Sequence, residues 1–350
     1  MIYLPVSIGE AIDKLTILDI KCEKIKDEQK KKHCLEEYNI IYEKLKDHII
    51  NEEFLYKKLR DINLAIWELQ DIIRDMDNPS GKLCIDILNM NDSRFRIKDI
   101  INRKCKSYIL EQKGYKPRRA LFLGHTGVGD IINLIGAIRY ISLQYDETYI
   151  GINNGSQNEA TIKSFFSDNP NIKILYTGPW HRYHNPSDYT RIFRCGLHKD
   201  VNQSFLDIPD LFYDNLEFDR NVRKSYFYVP ESQESIQLYQ KIKDMPYIFV
   251  QQKSSEESIS VIDWNTDDIL TIDPNQNVYS PTHKFYNLAD QFVNKKIIDY
   301  IDTVKNASEI HTIDSAFYCL AINLPLKANI KKCYDRKTGE LHDYYTSLFN

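Results

Sequence analysis

The segment 119–144, RALFLGHTGVGDIINLIGAIRYISLQ, constrains the fold of this chain more than any other. It begins with an apolar run at 120–123, which is typical of a buried parallel strand. A glycine-rich turn follows, and apolar residues then recur at helical spacing up to residue 141. A strand, a glycine turn and a helix open a nucleotide-binding βαβ unit. The segment therefore predicts an α/β domain with a ligand site at this turn.

The order of the glycines excludes two common nucleotide-binding loops. They follow G-x-x-G-x-G, whereas a dinucleotide fingerprint requires G-x-G-x-x-G. A Walker A loop needs Lys and then Ser or Thr after its last glycine, but Asp130 and Ile131 stand there. A carboxylate would repel a phosphate at that point. Two interpretations of Asp130 remain: it presents an acid beside a cleft, or it only caps the following helix.

The composition narrows the class of protein. The chain has 350 residues, which allows two or three domains, and a net charge of −4, which gives no general attraction to nucleic acid or to an anionic membrane. The seven cysteines are scattered and odd in number, which favours a reducing compartment. The first residues lack the pattern of a signal peptide, and no apolar run is long enough to span a membrane. We therefore expect a soluble, cytoplasmic protein.

Residues 1–114 predict an all-α domain. Ser7 and Glu10 form a capping box at its start, and a lysine-rich stretch at 27–33 predicts a solvated turn. Two long apolar patterns, at 35–49 and 55–76, predict an antiparallel coiled-coil hairpin. A further helix is expected from about residue 92 to residue 114. The domain shows no catalytic pattern, so we expect it to be a scaffold, an oligomerisation module through which the chain could form a homodimer, or an arm that rests on the catalytic part.

Residues 115–229 predict a first Rossmann-like domain. After the opening unit, strands are expected at 148–152 and 172–176, with a helix at 158–166 between them. The stretch 177–225 is irregular, aromatic and locally basic, and loops of this kind are often functional. Its side chains suit contacts to phosphate or sugar, and their spacing does not match a zinc motif. The candidates are His181, Arg182 and His184.

Residues 230–350 predict a second Rossmann-like domain with a C-terminal helix. Strands are expected at 247–251 and 309–313, a short strand at 277–280, and a last strand at about 326–330. Lys253 follows the first of these strands, and Asp314 and Ser315 follow the second, where a helix begins. Ligands of open α/β sheets bind at such strand ends. Backbone N–H groups at the helix start could hold a pyrophosphate, or Ser315 and Asp314 are simple caps.

Two motifs resemble those of GT-B glycosyltransferases of the heptosyltransferase-like group, over about residues 119–335. The first is the G-x-G-D turn at 127–130, followed by an apolar helix with Gly136-Ala137-Ile138-Arg139. The second is the C-terminal block from Ile297 to Pro325. Residues 1–114 separately resemble a small helical family of unknown function that is found with sugar-transfer genes. That likeness is carried by LPVSIGEAIDKLTIL at 4–18, the helix around Trp67, and NDSRFRIKDIIN at 91–102.

The resemblance implies a GT-B-like pair of Rossmann-like domains facing a cleft. The acceptor would lie against the first domain, and the nucleotide-sugar donor against the second. Asp130 would be the base that deprotonates the acceptor hydroxyl, with His125 as a second candidate, and Gly127 and Gly129 would shape the acceptor side. The donor diphosphate would be bound by Lys253, Asp314, Ser315 and Ala316. Reaction with inversion, without a metal or other cofactor, is also implied.

One departure from the family keeps other functions open. The family often has a small residue and a His after its Asp-Ser or Asp-Thr, whereas Ala316-Phe317-Tyr318-Cys319 follow here. A non-catalytic adaptor that binds sugar or nucleotide, with a helical arm that recruits partners, is therefore the alternative to a glycosyltransferase. A dinucleotide-dependent oxidoreductase or epimerase is disfavoured by the glycine spacing. The expected partners are a nucleotide-sugar donor and a glycan or a lipid- or protein-linked acceptor.

Overall fold

A helical region precedes two parallel sheets in the computed structural model of the chain. The structure describes residues 4–112, 114, 116–124, 127–152, 158–178, 182, 184–195, 208–254 and 268–349. Within these described residues each sheet has four strands, and helices cover both. The predicted fold class, α/β with two Rossmann-like units after an all-α region, is confirmed. The predicted domain boundaries, 1–114, 115–229 and 230–350, stay a prediction.

Four long helices form the N-terminal region, and their caps explain where they begin. Ser7 accepts a hydrogen bond from the N–H of Glu10, Asp27 from that of Lys30, and Ser80 from that of Leu83. The apolar stripes of α1, α3 and α4 bury residues such as Ile12, Leu59 and Ile97 against one another. The helices are α1 (Ile8–Lys24), α2 (Glu28–Asn51), α3 (Glu53–Arg74) and α4 (Gly81–Lys104).

Three predictions for this region are wrong. The lysine-rich stretch is not a turn, because Asp27 caps a helix that begins at Glu28. The patterns at 35–49 and 55–76 do not form a coiled-coil hairpin with each other. Only Glu52 separates α2 from α3, and α2 packs mainly on α1 while α3 packs on α1 and α4. The long helix α4 also begins about eleven residues before its predicted start at 92.

The first sheet has the strand order β3-β2-β1-β4, with all strands parallel. The central strand β1 is almost fully buried, and the apolar face of α5 covers it. The strands are β1 (Arg119–Leu123), β2 (Glu147–Ile152), β3 (Ile172–Tyr176) and β4 (Arg191–Arg194), and the helices are α5 (Val128–Ser142), α6 (Glu159–Phe165), α7 (Ile208–Asn215) and α8 (Asn221–Ser225), with a 3-10 turn at Pro186–Asp188.

The second sheet has the order β6-β5-β7-β8, and its strands are also parallel. Its strands are β5 (Tyr247–Gln251), β6 (Leu270–Ile272), β7 (Glu309–Ile313) and β8 (Ile330–Tyr334). Its helices are α9 (Gln233–Gln240), α10 (Tyr286–Ala289), α11 (Ile301–Asn306), α12 (Ala316–Ala321) and α13 (Asp343–Ser347), with 3-10 turns at Asp290–Phe292 and Ile297–Tyr300.

The strand predictions are confirmed for most strands and fail in three places. Residues 172–176, 247–251 and 309–313 are strands as predicted. The predicted strand at 277–280 is not formed, and the last strand lies at 330–334 rather than at 326–330. The edge strand β4 was not predicted at all.

The helical region is docked on the first sheet by buried polar contacts. Arg96 is 1% exposed, and its Nε lies 2.9 Å from Oδ1 of Asp146. The other carboxylate oxygen accepts a hydrogen bond of 2.7 Å from the N–H of Arg118, just before β1. Phe54 of α3 stacks on Tyr228 at 4.7 Å between ring centroids. Of the described helices, none is long and apolar enough to cross a membrane.

Candidate active site

The two sheets place their ligand-binding edges at one cleft. The strand order reverses between β1 and β4 in the first sheet, and between β5 and β7 in the second. In open parallel sheets, ligands bind beyond the carboxyl ends of the strands at such reversals. The segments that follow β1, β5 and β7 contribute Gly127, Lys253 and Asp314 to the lining of a cavity of about 820 Å³. This volume lies within the range of small-molecule binding sites, roughly 300 to 1,000 Å³.

Asp130 enters this cleft from the first turn of α5. Its carboxylate folds back over the helix start, since a Cβ added to Gly127 would lie 2.8 Å from Oδ2 of Asp130. Gly127 is the N-cap and makes no side-chain cap. A carboxylate in a first turn is favoured by the helix dipole. The side chain is half-buried and lines the cavity, so it is held in place and faces any bound ligand.

Ser315 enters the cleft from the opposite sheet. It is the N-cap residue of α12, but its side chain does not cap the helix. Its hydroxyl donates a hydrogen bond of 2.7 Å to Oε1 of Gln251, at the end of β5. The Nε2 of Gln251 donates to the backbone carbonyl of Lys253. The ends of β5 and β7 are therefore joined through side chains of residues that line the cavity.

The helices that carry Asp130 and Ser315 are in contact. A Cβ added to Gly129 would lie 3.2 Å from Sγ of Cys319 and 3.6 Å from Cα of Ala316. Nδ2 of Asn133 donates to the same sulfur at 3.3 Å. Burial, with a smaller effect of the Asp130 charge, raises the pKa of the Cys319 thiol to about 12. The thiol is therefore neutral and acts as packing between α5 and α12, not as a nucleophile.

Cations outnumber carboxylates among the described residues that line the cavity. Lys253, Lys295, Lys296 and Arg336 line it, together with two carboxylates, Asp130 and Asp314. This excess is local, because the whole chain has a net charge of −4. A cleft with walls of one dominant sign raises the concentration of ligands of the opposite sign. The arrangement suits an anionic ligand on the side of the second sheet.

The carboxylate of Asp314 is paired with Arg336 at the cavity. Its Oδ1 accepts a hydrogen bond of 2.8 Å from the N–H of Arg336, and its Oδ2 accepts one of 3.1 Å from Nε of the same residue. Arg336 follows the edge strand β8, whose last residue, Tyr334, pairs with Ile313 at the end of β7. The carboxylate thus holds a guanidinium at the rim of the cleft.

The structure brings together most of the predicted site residues that it describes. Arg182 is exposed and His184 is half-buried, and neither lines the cavity, so their role in acceptor binding stays a prediction. His125 and His181 lie outside the described residues. The predicted residues that line the cavity are Gly127, Gly129, Asp130, Lys253, Asp314, Ser315 and Ala316.

Several lining residues were missed from the sequence. Gln251 was read only as the end of a buried strand, although a polar residue there signals a ligand edge. Arg336 and Tyr345 were missed because the last strand was placed four residues too early. Lys296 and Asn133 were not predicted as site residues either. A polar residue on the otherwise apolar face of a helix was the available signal for Asn133.

No cluster of three or more His, Cys, Asp or Glu that could hold a metal ion occurs within the described residues. Asp314 is paired with Arg336, and the thiol of Cys319 keeps its proton. The expectation of a site without metal stays a prediction.

Comparisons with known proteins match separate parts of the chain. Residues 2–120 match the model of a family described as a family of unknown function, DUF6165. This range covers the helical region and ends in β1, which agrees with the predicted likeness of that region to a family of unknown function. The association with sugar-transfer genes stays a prediction. No curated protein matches the chain.

Solved structures similar to the chain include bacterial glycosyltransferases. One is the iron-containing dodecameric glycosyltransferase TibC from enterotoxigenic E. coli H10407, with 14% identity and a TM-score of 0.39 over 64% of this chain and 61% of that one. Another is the E. coli ADP-heptose LPS heptosyltransferase II, with 11% identity and a TM-score of 0.38 over 65% and 93%. A third is a family 9 glycosyltransferase from Veillonella parvula, with 10% identity and a TM-score of 0.38 over 62% and 87%. The chain thus spans about three fifths of the length of TibC.

Proposed function

We propose that this chain is a glycosyltransferase that moves a sugar from a nucleoside diphosphate sugar to a hydroxyl of a glycan or of a lipid- or protein-linked acceptor. One observation carries the proposal. A single cleft has the carboxylate of Asp130 on the side of the first sheet, and cationic side chains with a helix start on the side of the second. Transfer of a sugar from a diphosphate donor to a hydroxyl needs both a base for the hydroxyl and positive charge for the leaving diphosphate.

Each side of the cleft matches one half of this chemistry. The acceptor oxygen attacks the anomeric carbon while the bond from that carbon to the diphosphate oxygen breaks. The proton of the hydroxyl passes to the Asp130 carboxylate, a step that a positioned carboxylate can catalyse. Negative charge develops on the leaving diphosphate, and fixed cations and backbone N–H groups stabilise such charge.

The second sheet supplies these groups from three strand ends. Lys253 follows β5, Ser315 and Ala316 follow β7, and Arg336 follows β8. The first N–H groups of α12 have no acceptor within the helix, as at every helix start. The helix has only six residues, so the cations provide most of the attraction. We extend the proposal to inversion at the anomeric carbon and to a reaction without metal, as the resemblance of the motifs implies.

Substitution of Asp130 by Asn tests the proposal. The variant removes the base and keeps the size of the side chain, so sugar transfer should fall about 10²- to 10⁴-fold while nucleoside diphosphate binding is kept. Asp188→Asn is the matched control, because Asp188 is an exposed carboxylate near the first sheet that does not line the cleft. Transfer is measured as nucleoside diphosphate release with a panel of donors and acceptors.

Three outcomes separate the alternatives. Full transfer by Asp130→Asn would remove Asp130 from the base role and make His125 the next residue to substitute. Binding of donors without transfer or hydrolysis by the unmodified protein would favour the adaptor. Tight binding of NAD without binding of nucleoside diphosphates would favour a dinucleotide-dependent enzyme.

A further inference from the structure

Arg336 is a cation of the cleft that is held through both its backbone and its side chain. Its backbone and its side chain both donate to one carboxylate, that of Asp314. The turn that follows is fixed as well, because Oδ1 of Asp335 accepts hydrogen bonds of 2.8 Å from the N–H groups of Lys337 and Thr338. The chain then returns through Gly339, whose φ of 75° suits glycine. A residue held in this way loses little freedom when it binds a ligand.

The C-terminal helix closes the same corner of the cleft. The N–H of His342 donates to the carbonyl of Cys333 in β8, and the imidazole stacks on Tyr345 at 4.0 Å between ring centroids. Tyr318 in α12 donates a hydrogen bond of 3.0 Å to the carbonyl of Tyr345. Tyr345 and Arg336 both line the cavity. The segment after β8 is thus a structured wall of the cleft.

The orientation of Arg336 suits a phosphate group. A guanidinium carries five N–H donors in a planar fork that matches phosphate oxygens in pairs. The bond from Nε to Asp314 sets the plane of the fork, and the negative carboxylate beside it keeps the pair neutral until an anion binds. Lysines on the same cleft are point charges on flexible chains and cannot impose such a direction.

We propose that Arg336 binds the diphosphate of the donor directly, and that Asp314 is a positioning residue that acts through Arg336. The proposal rests on the proposed function, since it names a cation for the same donor side. It assigns the wall after β8 a part in donor recognition. It also changes the predicted role of Asp314 from a contact with the donor to a support for the group that makes the contact.

Binding of nucleotides with and without phosphates tests this assignment. Nucleoside diphosphates (ADP, GDP, UDP and CDP) are titrated by calorimetry into the unmodified protein, into Arg336→Gln and into Asp314→Asn. The parent nucleosides are followed by saturation-transfer NMR. Arg336→Gln should weaken diphosphate binding roughly 10- to 100-fold, the range for a hydrogen bond to a charged group. It should leave nucleoside binding unchanged.

The double variant separates positioning from direct contact. If Asp314 acts through Arg336, Asp314→Asn should weaken diphosphate binding less than Arg336→Gln does. The double variant should then bind diphosphates about as weakly as Arg336→Gln alone. Lys337→Gln is the control, because it removes a cation from the same exposed turn that does not line the cavity. Its diphosphate affinity should match that of the unmodified protein.

Each of three results would overturn all or part of this assignment. Only the third would also refute the proposed donor site. Unchanged diphosphate binding by Arg336→Gln would refute the role of Arg336 and leave the proposed function intact. Full additivity of the two substitutions would refute the positioning role of Asp314. If the unmodified protein binds none of the four diphosphates, both the donor site and this role of Arg336 are wrong.

Discussion

The hydroxyl of Ser315 donates a hydrogen bond of 2.7 Å to Oε1 of Gln251 and so joins the carboxyl ends of β7 and β5. Gln251 is 2% exposed, and its Nε2 is bound to the carbonyl of Lys253. The side chain of Gln251 therefore transmits the position of α12 to the backbone of Lys253. Four predictions about the stability of the protein and of its site follow from contacts of this kind.

Ser315→Ala should weaken both the fold around the cleft and the binding of nucleoside diphosphates. It leaves a buried acceptor, Oε1 of Gln251, without its donor, which costs about 1–3 kcal/mol. The backbone at Lys253 should lose its fixed position as a result. Thermal unfolding and calorimetric titration measure the two effects. Ser315→Thr keeps the hydroxyl and should retain most of the affinity; loss of affinity in both variants alike would contradict this account. Ser347→Ala, an exposed serine of α13, should change neither quantity.

Gly136→Ala should destabilise the protein, although alanine favours helices. A Cβ at Gly136 would lie 2.5 Å from the carbonyl oxygen of Arg223 and 2.7 Å from that of Val222, and backbone atoms cannot move aside cheaply. This close crossing of α5 and α8 should outweigh the gain in helix propensity of about 1 kcal/mol. Gly81→Ala is the control, since nothing lies within 4 Å of its added Cβ. The prediction requires the melting temperature to fall for Gly136→Ala only, and equal melting temperatures would refute it.

Arg139→Lys should destabilise strongly even though the charge is kept. Arg139 binds the carboxylate of Asp168 through both terminal nitrogens, at 3.0 and 2.6 Å, and both side chains are 4% exposed. Its Nε also donates to the carbonyl of Tyr228 at 2.6 Å. A lysine keeps the charge but cannot make this forked contact or the bond to Tyr228, and each lost hydrogen bond to a charged group costs about 1.5–3 kcal/mol.

The control for that substitution is Arg119→Lys, whose ion pair with Glu147 lies at the surface. Surface pairs contribute about 0–1 kcal/mol, so its unfolding midpoint in urea should hardly change. If Arg139→Lys were equally mild, the buried pair would not be what fixes α5 to α6 and to the segment before α9.

The pH dependence of stability should carry the signature of Asp273, at the end of β6. Burial raises the pKa of this carboxyl from its usual 3.8 to about 6, against hydrogen bonds from Asn275 and Gln276. The folded protein therefore holds the proton more tightly than the unfolded chain. Ionisation costs stability as pH rises from about 4 to about 6, by about 3 kcal/mol in total.

Asp273→Asn removes this cost, so the variant should gain stability over the unmodified protein as pH rises through that window. Asp214 is a control of opposite sign, because its hydrogen bond with Arg220 lowers its pKa. The ionised Asp214 carboxylate therefore stabilises the fold at neutral pH, and this stabilisation is lost as pH falls. Asp214→Asn should have a lower melting temperature than the unmodified protein at neutral pH and the same melting temperature in acid. Melting temperatures at several pH values measure both, and parallel curves for all three proteins would contradict the assignment to Asp273.

The sequence predicted the interior of each sheet well because those strands are buried on both faces. The runs at 120–123 and 247–250 are continuously apolar, as is typical of parallel strands. Among the edge strands, β3 was predicted with its observed bounds, whereas β4 was missed and β8 was displaced by four residues. β4 reads RIFR and β8 reads IKKCY, and such charged residues blunt an exposed edge at the cost of its apolar pattern. In the helical region, Asp27 was read as part of a turn although it is the cap of α2.

The candidate site shows the same division. Asp130 and Ser315 stand in local patterns of strand, turn and helix, so the sequence alone locates them. Arg336 stands in no such pattern, and only the pairing of β8 with β7 brings it to Asp314. The role of Gln251 depends likewise on a contact 64 positions away in the chain. Short motifs mark where helices begin at a cleft, whereas the residues that complete it depend on the packing of distant strands.

The contact of α5 with α12 has a mechanical consequence. Asn133 lies in the second turn of α5, and its side chain meets both Cys319 and Asn323 in or next to α12. Any rotation of one sheet relative to the other must therefore either break this contact or take place about an axis that passes close to it. Atoms close to a rotation axis are displaced least, and Asp130 and Ser315 lie on either side of this contact. A rotation about this contact would widen the rim of the cleft while the distance between Asp130 and Ser315 stayed nearly constant.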